Sequence, residues 1–166
     1  MNMFVMADRN WGIYRNRKPF VSIPAEEKSR ISEITGKVVV YDINYMEKLP
    51  GQQPLKNTTN LIFTNGQDIT VRGAQCFTTV EALRFALAAY KDEDIYIISS
   101  ELLYREFLPD TKTVHVTKID YAYEADAFFD NLDKNEDFKL VADSDEQYCF
   151  NIIYNFLKYE RIRKAK

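Results

Sequence analysis

The segment KVVVY, Lys37 to Tyr41, is continuous in β-branched and aromatic residues, without the polar alternation of a strand that faces water on one side. A strand of that kind is covered on both faces, as in a parallel sheet held between helices. The rest of the chain follows suit. Strand patterns at Met3 to Ala7, Asn60 to Thr64, Ala74 to Phe77 and Ile95 to Ile98 alternate with helical ones through residue 107. Only strands follow: Lys112 to Asp120, Phe138 to Val141, and Tyr148 to Phe156, the last long enough to hold a bulge. The expected class is α/β, a central mostly parallel sheet with an antiparallel C-terminal edge, flanked by about four helices.

Local signals set the helix ends. Pro24 suits a first helical position, Glu26 and Glu27 fall in the first turn where the macrodipole favours carboxylates, and Gly36 fits the C-terminal cap. The helix is expected over Pro24 to Thr35, with a narrow apolar face of Ala25, Ile31 and Ile34. A short helical turn, Ile43 to Leu49, follows Asp42. Thr78 and Glu81 have the spacing of a capping box, ahead of an apolar face of Ala82, Leu83, Phe85, Ala86 and Leu87. In DIYIISSELLYREFLP a buried strand runs through Ser99-Ser100 into a helix. Ser100 can cap that helix or lend its hydroxyl to a phosphate, and the cap is the favoured reading. The long loop DRNWGIYRNRKPFVSIP, with Gly12, Pro19 and Pro24 as breakers, has the length of a functional segment.

Charge and composition exclude several functions. Twenty-five acidic against twenty-two basic residues leave no field to draw nucleic acid or an anionic membrane, and KYERIRKAK reads as a solvated tail. Cys76 and Cys149 lack metal or redox spacing, and His115 is the only histidine, so no metal site is expected. No GxSxG elbow is present to serve a hydrolase. The first residues lack the basic start and apolar run of a signal peptide, and no stretch approaches about eighteen apolar residues. A single cytoplasmic domain of 166 residues, monomeric or weakly dimeric, is the expectation.

Several strings, in order and spacing, resemble the dihydrofolate reductase family over nearly the whole chain. DRNWGI resembles its first strand-to-loop segment, KPFVSIPAEEK its Leu-Pro-Trp-x-x-Pro-x-acid segment with one extra residue, and GKVVV the strand after the first helix. IYIISSELLYREFLP resembles Val-x-Gly-Gly-x-x-x-Tyr-x-x-x-Leu-Pro, VTKID resembles Leu-Thr-x-Ile-Asp, EADAFF resembles Gly-Asp-Thr-x-Phe-Pro, and YCF resembles the Tyr-x-Phe of the last strand. The resemblance implies reduction of dihydrofolate or a related pterin by NADPH, with Glu26 as the essential carboxylate and Thr117 supporting it by hydrogen bonds. Reducing a C=N bond needs a proton at nitrogen while hydride arrives at carbon. Read without the family, Glu26 is a first-turn acid on the helix dipole.

The other implied sites divide between the two ligands. Phe4, Phe20, Arg30, Leu49, Lys56 and Ile98 fall on the substrate side, with Phe20 in place of a tryptophan, Phe4 in place of a small residue, and Arg30 where an aromatic residue packs on folate. Thr58 stands where an arginine holds the substrate's carboxylate, and Lys56 is its nearby substitute. Gly12, Asp42, Asn44, Thr64, Ser99, Ser100 and Tyr104 fall on the cofactor side. There the family's cis-linked Gly-Gly turn is Ser99-Ser100, and its 2'-phosphate arginine is absent from the run Asp42-Ile43-Asn44-Tyr45. A paralogue that binds a small ligand or partner without catalysis, and a reductase of another heterocycle such as a pyrimidine, are the alternatives.

Overall fold

The computed structural model describes residues 1–163. Eleven strands and four α-helices follow one another as β1 (Asn2–Ala7), β2 (Gly12–Tyr14), α1 (Pro24–Ile34), β3 (Val38–Asp42), α2 (Ile43–Glu47), β4 (Thr59–Phe63), β5 (Gln75–Phe77), α3 (Val80–Leu87), β6 (Ile95–Ile97), α4 (Glu101–Phe107), β7 (Thr113–Ile119), β8 (Ala127–Phe128), β9 (Phe138–Asp143), β10 (Gln147–Cys149) and β11 (Ile152–Arg161). Nine strands form one sheet in the order β10-β11-β7-β1-β6-β3-β4-β5, with β9 also paired to β11, while β2 and β8 make a separate ribbon. The inner pairs are parallel and every pairing of β11 is antiparallel, as the alternation of helix and strand patterns requires.

Strand patterning decides which side chains reach which layer. β3 is buried at every position, with Val38 and Val40 in one core cluster and Val39 and Tyr41 in another. Leu83, Leu87, Leu103 and Phe107 bring α3 and α4 to the first cluster, and Ile34, Ile43 and Met46 bring α1 and α2 to the second. In β1, Met3, Val5 and Ala7 turn into the first cluster. Phe4 is therefore left on the opposite face, where it stacks on His115 with ring centroids 4.8 Å apart.

Several expectations need correction. The helix after β5 is capped by Thr79, whose side chain accepts from Ala82 N at 3.1 Å, so the start lies one residue beyond Thr78. Phe85 is exposed, and Leu83 and Leu87, four residues apart, form the buried seam of α3. The buried face of α1 is not Ala25, Ile31 and Ile34: Ile31 is exposed, and Glu26 is buried with Ile34. The stretch Tyr148 to Phe156 is not one bulged strand but the hairpin of β10 and β11, with Phe150 at φ 55 in the turn. The basic end is no tail through Arg161, which closes β11 and donates to Leu108 O at 2.6 Å and Thr111 O at 2.9 Å. The residues after position 163 lie outside those described.

Candidate active site

A cavity of about 710 Å³ opens beyond the C-terminal ends of β3 and β6, where an open α/β sheet collects ligands between its loops and helix starts. Phe4 and Ile98 supply its floor, Glu26 and Arg30 one wall from α1, Tyr45 and Lys48 a second from the α2 segment. Tyr104, Ser99 and Ser100 close the side toward α4. Asp42, Asn44 and Leu49 also line it, so ten of the residues singled out from the sequence meet around one space. A second cavity of about 400 Å³ lies on the other side of Phe4 and Glu26, and Thr117 lines it.

Glu26 is buried because it begins the face of α1 that turns inward, three residues after the extended Ile23 and just inside Pro24. Burial raises its carboxyl above the ordinary glutamate range; Arg30 opposes that rise and Glu27 adds to it. Arg30 lies one turn further on, with Nη1 3.5 Å from Glu26 Oε1. Thr117 shares a cavity with Glu26, but no hydrogen bond joins the two among the described residues.

The side toward α4 is built by hydroxyl groups. Tyr104 Oη is 2.7 Å from Phe4 O and 2.9 Å from Ile98 O, sharing its one proton between the middle of β1 and the end of the neighbouring β6. Tyr14 faces the same hydroxyl, and burial raises both phenols. The Ser99-Ser100 peptide is cis. Ser100 makes no side-chain capping bond, contrary to the favoured reading, and remains on the cavity wall. Ser99 is turned inward, where Asp42 N donates to its Oγ at 3.3 Å. Asp42 caps α2 as its position implies, accepting from Tyr45 N at 3.0 Å.

Four other candidates are diverted elsewhere. Phe20 does not line the cavity: its ring stacks on Tyr123 at 4.6 Å, and Pro19 and Val21 take the wall. Thr64 is buried and donates to Gln67 O at 2.6 Å, leaving Asn65 and Gln67 to line the space. Lys56 is exposed, outside both cavities. Gly12 also stands off the wall. Its N–H donates to Asp8 Oδ1 at 2.8 Å, and its place is set by close packing on Ala125.

Further residues complete the site. Asp8 is fully buried and accepts from the backbone N–H groups of Asn10, Gly12 and Tyr123, which organises the loop that carries Ile13 and Tyr14 to the cavity. Its signal in the sequence was a carboxylate directly after a strand, a usual loop-organising position. Lys48 and Arg17 add cations to the wall, and Lys48 Nζ donates to Arg17 O, pinning the loop to the α2 segment. Among the described residues no cluster of His, Cys, Asp and Glu could hold a metal ion, and no helix is long and apolar enough to cross a membrane.

Comparison with known proteins gives a consistent frame. The family model for dihydrofolate reductase matches residues 1–161. Dihydrofolate reductase of Bacillus subtilis (strain 168) is 29% identical over 119 residues, covering 69% of this chain and 67% of that protein. The Staphylococcus haemolyticus enzyme of that name is 31% identical over 113 residues, 66% of this chain and 65% of its own length. These matches span about two thirds of each relative. A solved structure of dihydrofolate reductase from Enterococcus faecalis, complexed with NADP(H) and RAB-propyl, has a TM-score of 0.81 at 19% identity, over 98% of this chain and 96% of that one. That likeness is one of fold. With a match of the family model from the first strand to the end of β11, this chain belongs to the dihydrofolate reductase family.

Proposed function

We propose that this protein is an NADPH-dependent reductase of dihydrofolate or a related heterocycle, with Glu26 as the proton-delivering carboxylate. The observation that carries the reading is the position of Glu26: a buried carboxylate on the wall of the main cavity, its affinity for a proton raised by burial. Such a group is part protonated nearer neutrality than a surface glutamate, as proton delivery to a ring nitrogen requires. Family membership supports the same class of reaction.

The cavity residues fit a dinucleotide in their donor chemistry. Asn44 and Ser100 offer neutral donors, and Arg17 and Lys48 offer the cations that the Asp42 segment lacks. Ser100 is free to act because its hydroxyl is not spent on the helix. NADPH, when bound, supplies the hydride. Tyr104 ties the middle of β1 to the end of β6 beneath the reacting centre, while Phe4, Ile98 and Leu49 exclude water from the ring.

Thermal shift with NADPH, NADH and dihydrofolate tests this. A ligand at a hundred times its dissociation constant stabilises by about 2.7 kcal/mol. Binding of NADPH together with loss of turnover in Glu26→Gln, at unchanged NADPH affinity, is the expected outcome. No shift with either nicotinamide at millimolar concentration would overturn the reductase and leave a binding module without catalysis.

A further inference from the structure

We propose that the second cavity, between α1 and the outer strands of the sheet, is a separate binding site for an uncharged, single-ring aromatic amide that extends a stack of rings ending at His115. The inference stands apart from the reductase reading, because it concerns the space on the far side of Phe4 and Glu26 from the main cavity.

The sheet register lays out the floor of this space. Phe4 of β1 pairs with His115 of β7, His115 with Lys158 of β11, and Lys158 with Ala142 of β9, so the four stand in one row on one face. Rings fill the inner part of that row. Tyr96 lies 5.8 Å from Phe4 with the planes at 25°, and Phe4 lies 4.8 Å from His115 at 18°, three rings stacked across β6, β1 and β7. There the stack stops. Lys158 carries no ring and its ammonium is 3.7 Å from Glu160, two residues further along β11, while Ala142 is too short to cover the outer side of the imidazole. His115 therefore lines a cavity of about 400 Å³, the size of a small-molecule site, roofed by Glu26 and Ser29 of α1.

The unspent polar groups in this cavity are neutral. Thr117 is on the same face of β7 two residues beyond His115 and is only 5% exposed, yet its hydroxyl has no hydrogen-bond partner among the described residues. No side-chain polar atom sealed among those residues lacks a partner, so this hydroxyl opens into the cavity with its proton and lone pairs free. Ser29 adds a second hydroxyl from the roof. Burial lowers the proton affinity of His115, with Glu33 and Lys158 its charged neighbours, so the imidazole is uncharged near neutrality. The nearby charges already have counter-ions, Arg30 for Glu26 and Glu160 for Lys158. A charged ligand would bring an unpaired charge into this space. A flat amide brings none: its ring lies on the imidazole, and its N–H and C=O meet the hydroxyls of Thr117 and Ser29.

The test uses the full chain and proton NMR. His115 is the only histidine, so its Cε1 proton gives one signal that reports on this cavity directly. The probes are benzamide and its near-isosteres benzoate and benzylammonium, which differ chiefly in charge. Benzamide should bind with a dissociation constant of about 1 mM and move the His115 signal upfield as a ring settles on the imidazole, and both charged analogues should bind about tenfold or more weakly. Ser29→Leu and Ala142→Leu, both at exposed positions, fill the space from roof and floor and should each abolish the shift. Thr117→Val should weaken benzamide about fivefold, the loss of one hydrogen bond. Melting temperatures check that the variants fold. No movement of the His115 signal at tens of millimolar benzamide overturns the proposal, as does equal binding of either charged analogue or unchanged affinity in Thr117→Val. A shift undiminished in both Ser29→Leu and Ala142→Leu overturns it in favour of binding in the main cavity, felt through Phe4. None of these readouts needs turnover or a nicotinamide, so the reductase reading can fail while this site stands.

Discussion

Ser99 and Asp42 are joined across the ends of β6 and β3: Asp42 N donates to Ser99 Oγ at 3.3 Å, and that hydroxyl donates to Asp42 Oδ1 at 3.4 Å. The same carboxylate oxygen caps α2 through Tyr45 N. Both residues line the cavity, yet their polar groups are largely committed to each other and to the helix start. The latch keeps an acid on the cavity wall because that acid has a structural task.

Asp42→Asn separates the task from the charge. Asparagine caps as well as aspartate, so the melting temperature should change little, while NADPH should bind several-fold more tightly once the negative charge is gone. Asp42→Ala removes the cap as well and should cost about 1 kcal/mol of stability. Unchanged NADPH affinity in Asp42→Asn would mean that no phosphate lies near this residue.

Glu26 should leave its mark on stability as a function of pH. Its carboxyl is raised in the folded state, chiefly by burial, so the folded protein holds the proton more tightly than the unfolded chain. Between the ordinary glutamate value and the raised one the folded state carries more protons, and stability falls as pH rises through that window. Glu26→Gln cannot titrate, and Arg30 stays charged throughout. The melting temperature of the parent relative to Glu26→Gln should therefore decline as pH rises from the ordinary glutamate value through the raised one and level off above it; a constant difference would contradict the raised carboxyl.

Tyr104→Phe should destabilise by about 1 to 3 kcal/mol in urea denaturation, since one buried hydroxyl serves carbonyls from both β1 and the end of β6. Loss of that tie also frees the Ile98 end of the cavity floor, so ligand affinity should fall with stability. A change below about 0.5 kcal/mol would show that the hydroxyl is dispensable.

Gly12→Ala should be poorly tolerated although Gly12 is off the cavity wall. A Cβ there would lie 2.6 Å from Ala125 Cβ and 3.1 Å from Asp8 Oδ1, against the carboxylate that organises the loop. The expected loss is about 1 to 3 kcal/mol, with weaker ligand binding because Ile13 and Tyr14 follow directly. Pairing it with Ala125→Gly should recover most of the loss, and no recovery would rule out the Cβ contact as the cause.

Much of the architecture is legible in local patterns because their causes are local. The unbroken β-branched run of β3, proline at the start of α1 and Gly36 at φ 79 after it each report a conformation that neighbouring atoms decide. The capping threonine was misplaced by one residue because Thr78 and Thr79 both offer a hydroxyl, and only the path of the chain out of β5 chooses between them. The ribbon of β2 and β8 was missed because strands of three and two residues carry too little periodicity to be seen.

By itself the sequence determined the alternation of elements, the antiparallel edge, the two strand-end turns and the candidate acid Glu26, since each rests on short-range sterics or on motif order. The tertiary structure decided which side chains share a space. The inward face of α1 is charged, so counting apolar residues points to Ile31, and only the packing of that helix over Phe4 and Ile98 turns Glu26 and Arg30 into the cavity. Phe20 and Thr64 were drawn off by Tyr123 and Gln67, contacts between segments distant in sequence or folded back on themselves. Lys48 and Arg17 entered because a loop and a helix end lie against each other. Burial and proximity arise from the whole chain closing on itself, and no window of residues contains them.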